Sequence, residues 1–192
     1  MDASQLANGL ALDKDLVFPS CPDDPEMRES TSIWLFADDG SFGLPRIGIE
    51  AEAKCWDDRL FQCNIAFADG RVLIGPGRGP VPSALGADGR PTVLGAGPLT
   101  FHCIEPFKRW RATFDGDTAD GHVTHQMAQS LDSRKRTKVQ FDIELEMATP
   151  AWIQDNSTLD TSKMSEAERA DAESTGIGYR FEHLFRSKGS FT

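Results

Sequence analysis

The chain has 192 residues, 30 acidic and 20 basic, with a formal charge of -10 at pH 7. That length supports one domain with a real core, and 39% hydrophobic with 26% charged residues excludes wholesale disorder. The acidic excess argues against a nucleic-acid or anionic-membrane surface, since both need clustered Lys and Arg, and no apolar run approaches the roughly 18 residues of a membrane span. The opening residues, MDASQLANGL, lack a basic n-region and a long apolar stretch, so no signal peptide is expected and the cytoplasm is the expected compartment.

Residues 1–29, with Pro19, Pro22 and Pro25, read as an irregular N-terminal segment wrapped around the outside. From residue 30 the chain reads as strands. Asp-Gly pairs at 39–40, 69–70, 88–89, 115–116 and 120–121 are hairpin signals, because glycine accepts the positive φ of a tight turn. Residues 30–37 and 43–55 flank the first pair; 60–67 and the run RVLIG flank the second. In 46–53, Ile47, Ile49, Ala51 and Ala53 oppose Gly48, Glu50 and Glu52. Residues 75–98 are rich in Gly and Pro and are expected to form a loop. Leu99, Phe101 and Cys103 then oppose Thr100, His102 and Ile104, and Trp110, Ala112 and Phe114 oppose Arg109, Arg111 and Thr113.

The alternation is cleanest over 139–147, where Val139, Phe141, Ile143, Leu145 and Met147 share one phase. One dry and one wet face is the mark of an antiparallel sheet. Residues 122–131 and 176–187 are weaker strand candidates. A single helix is signalled: Ser165 with Glu168 makes a capping box ahead of the acidic run EAERADAE, inside an acidic insertion over about 155–173. About nine short strands of this kind predict an all-β fold, an antiparallel lipocalin-like β-barrel over 30–192 with one short peripheral helix. A closed barrel of that size has room for one small ligand.

Cys21, Cys55, Cys63 and Cys103 form no C-x-x-C pair, which argues against a zinc site. Cys63 and Cys103 lie on apolar phases and read as small buried hydrophobes, and a disulfide is not expected without a secretion signal. Three sharper motifs fail. The run Gly75-Pro-Gly-Arg-Gly-Pro80 lacks the Gly-Lys-Ser/Thr ending of a phosphate loop, the basic run 134–138 falls between strands, and no Gly-x-Ser-x-Gly elbow occurs.

Glu105-Pro-Phe-Lys-Arg-Trp110 is the densest feature. Burial against Trp110 would raise the Glu105 pKa and suit it to general acid catalysis; the competing reading is a structural corner in which Glu105 pairs with Arg109 or Arg111. His102 interrupts an apolar strand and is either a buried acid/base or an outward or hydrogen-bonded histidine. Glu50 and Glu52 share a strand face, as an acid–base pair or as a solvated face that also holds Lys54. His122 and His125 point to opposite faces of a strand and are not expected to share a metal. His183 is in phase with Tyr179, Phe181 and Phe185 and either lines a cavity or caps it. Trp34, Trp56, Trp110 and Trp152 with twelve Phe suit either a greasy cavity or an ordinary core.

The run Ser32-Ile-Trp-Leu-Phe-Ala-Asp-Asp-Gly40 followed by Gly43-Leu-Pro-Arg-Ile-Gly-Ile-Glu50, and the run from Gly95 through Phe101-His-Cys-Ile-Glu105 and Trp110 to Gly116, resemble the lipocalin-like carotenoid 1,2-hydratase (hydroxyneurosporene synthase) superfamily. The resemblance covers roughly residues 28–190. It implies β-barrel domains, usually two per chain, and relatives that are hydratases or pericyclases of isoprenoid or polyketide substrates. Gly178–Gly189 resembles a segment leading into a second barrel, so the chain is expected to be an N-terminal barrel fragment or a single-barrel version, its partner a second barrel domain or a second copy in a homodimer. No catalytic carboxylate of the hydratases maps onto a position here.

These readings lead to one functional expectation. The chain binds, and in the enzymatic version transforms, an apolar isoprenoid-, steroid- or polyketide-like molecule without metal or cofactor. Glu105 and His102 are the candidate catalytic residues; Trp34, Phe101, Trp110, Tyr179 and His183 are the candidate ligand contacts. The alternatives are a non-catalytic binding module, half of a two-barrel enzyme, and a barrel filled by its own Phe and Trp side chains.

Overall fold

The computed structural model describes residues 1–25, 27–155, 161–175 and 179–192. Its strands are β1 (Arg28–Phe36), β2 (Phe42–Glu52), β3 (Asp58–Phe67), β4 (Arg71–Pro80), β5 (Val93–Ala96), β6 (Leu99–Glu105), β7 (Arg109–His122), β8 (Arg136–Met147), β9 (Trp152–Asp155), β10 (Tyr179–Glu182) and β11 (Phe185–Phe191). Short helices are α1 (Ala3–Leu6), α2 (Val123–Met127) and α3 (Glu166–Thr175). Every strand pairing is antiparallel. The all-β antiparallel expectation is met, with three short α-helices among the described residues where one is predicted from sequence.

β7 organises the sheet. One of its edges carries β8 along 109–119, with β11 beyond β8. The other edge is shared: residues 109–114 pair with β6, and residues 119–122 pair with β4. From β4 the order runs outward through β3 and β2 to β1, while β6 continues to β5. No ladder joins β1, β5 and β11 among the described residues, so backbone pairing leaves the sheet open. Side chains bring two distant parts together: Phe191 of β11 stacks on Phe42 of β2 with ring centroids 5.1 Å apart.

Local chemistry accounts for two irregularities. Pro45 lacks an amide hydrogen and cannot continue the ladder. The registers of β2 with both neighbours slip there, between Ile33 and Leu35 on β1 and between Gly43 and Arg46 on β2. Pro45 and Arg46 both face outward, and Leu44 and Ile47 both stay inside. The Gly/Pro run 75–80 is strand rather than the loop predicted from sequence, and forms the second half of β4. Pro76 and Pro80 are exposed on the part of β4 that has left β7, where no amide is required. Gly77 and Gly79 take the alternate phase because there is no room for a Cβ. One on Gly77 would lie 2.8 Å from Phe61 Cζ, and one on Gly79 would lie 2.6 Å from Gly97 Cα. Gly79→Ala should therefore cost about 1–3 kcal/mol, the usual penalty of overpacking. An unchanged urea midpoint would show that the two backbones are free to separate.

The segment 122–131 is a correction of another kind. It is helical over α2, capped by the His122 side chain accepting from Thr124 N. The acidic helix forms as expected, with Ser165 N–H donating to Glu168 Oε2 at 2.8 Å and Glu168 N–H to Ser165 Oγ at 3.3 Å. The predicted insertion also covers 156–160, which lie outside the described residues.

The inward rows of β2 to β8 meet in a single apolar cluster. Phe114 stacks on Phe141 at 5.5 Å and tilts against Phe61 at 6.4 Å, so these rings fill the middle. Burying side chains of this size stabilises by roughly 1.5–3 kcal/mol each. Cys63 and Cys103 are buried among them, as the apolar phase predicts. A second, smaller cluster lies at one end. There Leu6 and Ala7 of the N-terminal segment, which does more than wrap the outside, pack with Phe107, Met147 and Ala151.

Candidate functional site

Between the two clusters sits Asp15, at the end of the 3-10 turn Leu12–Asp15 and only 3% exposed. A buried carboxylate must find donors, and three elements supply them. Phe107 N–H donates to Asp15 Oδ2 at 2.5 Å and Trp110 Nε1–H donates at 2.9 Å, with Cys103 Sγ at 3.9 Å. Phe107 holds a φ of +53°, which costs a non-glycine residue about 1–2 kcal/mol. That turn, after Pro106, carries the Phe107 amide whose hydrogen bond to Asp15 offsets the strain.

His183 completes the group. Its Nε2 lies 3.5 Å from Asp15 Oδ1 and, among the described residues, has no hydrogen-bond partner although it is buried. Its ring is walled by Phe107 at 5.5 Å, Phe181 at 5.3 Å and Phe185 at 5.3 Å. Burial dominates both ionisations. It pushes Asp15 up to about 6, against the pull of the Phe107 and Trp110 donors, and pushes His183 down to about 4. At pH 7 the site therefore holds a carboxylate facing a neutral imidazole. Two titratable groups displaced in opposite senses inside an aromatic wall are the usual raw material of acid–base chemistry.

The structure brings together Trp110 and His183 from the sequence-predicted set and adds Asp15, which the sequence reading missed. One acid in the run Leu12-Asp-Lys-Asp-Leu-Val17 has no periodic signature; the only hint was an acid placed directly before an apolar pair. Phe101 lies at the inward phase of β6 in the main cluster. His102 alternates with it and points to the outer face, so it does not join the site. Glu105 is corrected too. It accepts from Lys108 Nζ at 2.9 Å and Arg109 Nε at 3.3 Å, and these cations hold its carboxyl below the usual range instead of raising it. That is the structural corner. Trp34 is 68% exposed on β1, away from any cluster. Tyr179 pairs with Asp155 through the backbone, and its side chain lies outside the described residues.

Glu50 pairs with Arg28 at 3.3 Å on a wet face. The His122 and His125 rings stand 6.4 Å apart, and among the described residues no group of three or more His, Cys, Asp or Glu side chains is placed to hold a metal ion. A surface hollow of about 360 Å³ lies elsewhere, lined by Pro98, Asp115, Gln140 and Asp142 among others. Among the described residues no helix is long and apolar enough to cross a membrane. No family model, no curated protein and no solved structure matches the chain.

Proposed function

We propose that the chain is a lipocalin-like module that takes an apolar isoprenoid-, steroid- or polyketide-like molecule at the Asp15 end of its curled sheet and moves a proton on it. The observation that carries this reading is the buried Asp15 carboxylate facing the unpartnered Nε2 of His183 within a wall of Phe107, Phe181 and Phe185. The Phe191–Phe42 contact supports a barrel whose wall is completed by side chains. The middle of that barrel is occupied by Phe61, Phe114 and Phe141, so the ligand lies at the end and enters by displacing α1. There Asp15 takes a proton from an activated carbon and returns it elsewhere on the same molecule, while His183 Nε2 accepts and orients the acid proton. This is isomerase-type chemistry carried by side chains alone.

The second reading is a binding module without chemistry. It is favoured by the two N–H donors that already engage Asp15 Oδ2. One titration with turnover analysis separates them. A long-chain isoprenoid alcohol should quench Trp110 fluorescence saturably, and Trp110→Phe should remove that component of the quench. Asp15→Asn should keep binding and lose any product if the enzyme reading holds. Absence of saturable binding across isoprenoid, steroid and polyketide probes overturns both.

A further inference from the structure

A different part of the molecule brings two accessible cysteines together. Cys55 ends the 3-10 turn Ala53–Cys55 between β2 and β3. Its Sγ lies between a donor and an acceptor: Arg78 Nη1–H donates to it at 3.3 Å, and the thiol donates to Glu52 Oε2 at 3.7 Å. Arg78 is held in place by a second bond from Nη1 to Asp58 O at 2.8 Å. A fixed cation stabilises a thiolate, and a carboxylate within reach accepts its proton. Cys21 approaches the same turn from the N-terminal segment, its Sγ donating to Ala53 O at 3.5 Å. Both cysteines line one surface hollow of about 560 Å³, together with Ser20, Trp56 and Asp57. Cys63 and Cys103 are buried and do not compete for a reagent in solvent.

We propose that Cys55 is a nucleophilic thiol that reacts with small hydroperoxides in this hollow, with Cys21 as its resolving thiol. Glu52 takes the Cys55 proton, and the thiolate attacks the terminal oxygen of the hydroperoxide. An S–O bond forms, the O–O bond breaks, and the departing alkoxide recovers the proton from Glu52 as an alcohol. Cys55 is left as a sulfenic acid. The Cys21 sulfur then attacks Cys55; the S–S bond forms, the S–O bond breaks, and hydroxide leaves with the Cys21 proton as water. Two thiols are oxidised by two electrons, and the hydroperoxide is reduced to an alcohol and water. A small thiol of the glutathione class reverses the disulfide by exchange. Arg78 is a positioning residue, acting through the sulfur.

The test is to treat the reduced full chain with one equivalent of hydrogen peroxide, then titrate free thiols and map peptides by mass. Two of the four thiols should disappear, with a mass loss of about 2 Da for one disulfide bond and a Cys21–Cys55 cross-linked peptide. In Cys21→Ser, a sulfenic acid should be trappable by dimedone at Cys55. Arg78→Met should slow Cys55 oxidation on the order of tenfold, and Arg78→Lys should recover part of the rate. A sulfenic acid forming at Cys21 in Cys55→Ser as fast as at Cys55 in Cys21→Ser, no dependence on Arg78, or links only between separate molecules would overturn the proposal.

Discussion

Asp15→Asn should lose about 3 kcal/mol of stability relative to wild type as the pH falls from 6 to 4, at about 1.4 kcal/mol per unit. The sign follows from the direction of each shift. The folded Asp15 pKa of about 6 lies above the unfolded value near 3.8, so the fold favours the protonated acid. Its contribution is fully present below pH 3.8 and lost by pH 6. His183 runs the other way, from 6.5 unfolded to about 4 folded, so its contribution is present above pH 6.5 and lost as the pH falls toward 4. In the wild type the two slopes cancel between pH 4 and 6. Removing Asp15 exposes the histidine slope. His183→Gln exposes the aspartate slope, so this variant should gain about 3 kcal/mol relative to wild type over the same acidification. The double variant should run parallel to wild type. Urea denaturation at several pH values measures all four profiles. A His183→Gln profile parallel to wild type would mean that the imidazole titrates as freely in the fold as outside it.

Arg59→Ala should cost about 3–5 kcal/mol, the toll of leaving buried charge uncompensated. Arg59 is 2% exposed. Its guanidinium lies 4.2 Å from the centre of the Trp56 ring, and its Nε–H and Nη1–H donate to Trp56 O at 3.1 Å and Gly95 O at 3.5 Å. A desolvated cation over an indole is worth about 2 kcal/mol. The Arg59 charge also lowers the pKa of Glu29, whose burial otherwise raises it. Removing the cation strands that acid beside the Phe18 amide it accepts from at 2.8 Å. Glu29→Gln in the Arg59→Ala background should therefore recover part of the loss, and a double-mutant cycle reads the coupling directly. A cost below about 1 kcal/mol for Arg59→Ala would show that water reaches the site.

Much of the sheet was legible because a pleated strand repeats every two residues, and that repeat is written locally. Val139 to Met147 alternates in sequence and in the fold, and Leu99, Phe101 and Cys103 face inward as their phase requires. The same local grammar misled at Gly75–Pro80. Gly and Pro are the residues of loops, and only the neighbouring Phe61 ring and Gly97 backbone show why glycine was needed in a strand. At 122–131, His122 turned the chain into α2 through a cap that no strand pattern contains. Glu105 sits in the structural corner that its pairing with Arg109 predicts, and Lys108, which the sequence reading did not name, joins it across the turn.

From the sequence alone follow the all-β class, the inward phase of most strands, the buried state of Cys63 and Cys103, and the capped acidic helix. The folded chain alone decided that Asp15 would meet the Trp110 indole from 95 residues away and lie against His183. It also decided that Cys21 and Cys55 would share one hollow. The difference is physical. Which face a side chain takes is set by backbone geometry over a few residues, whereas the partner of a buried charge is chosen by the cost of desolvation, which exists only once distant segments have excluded the water between them.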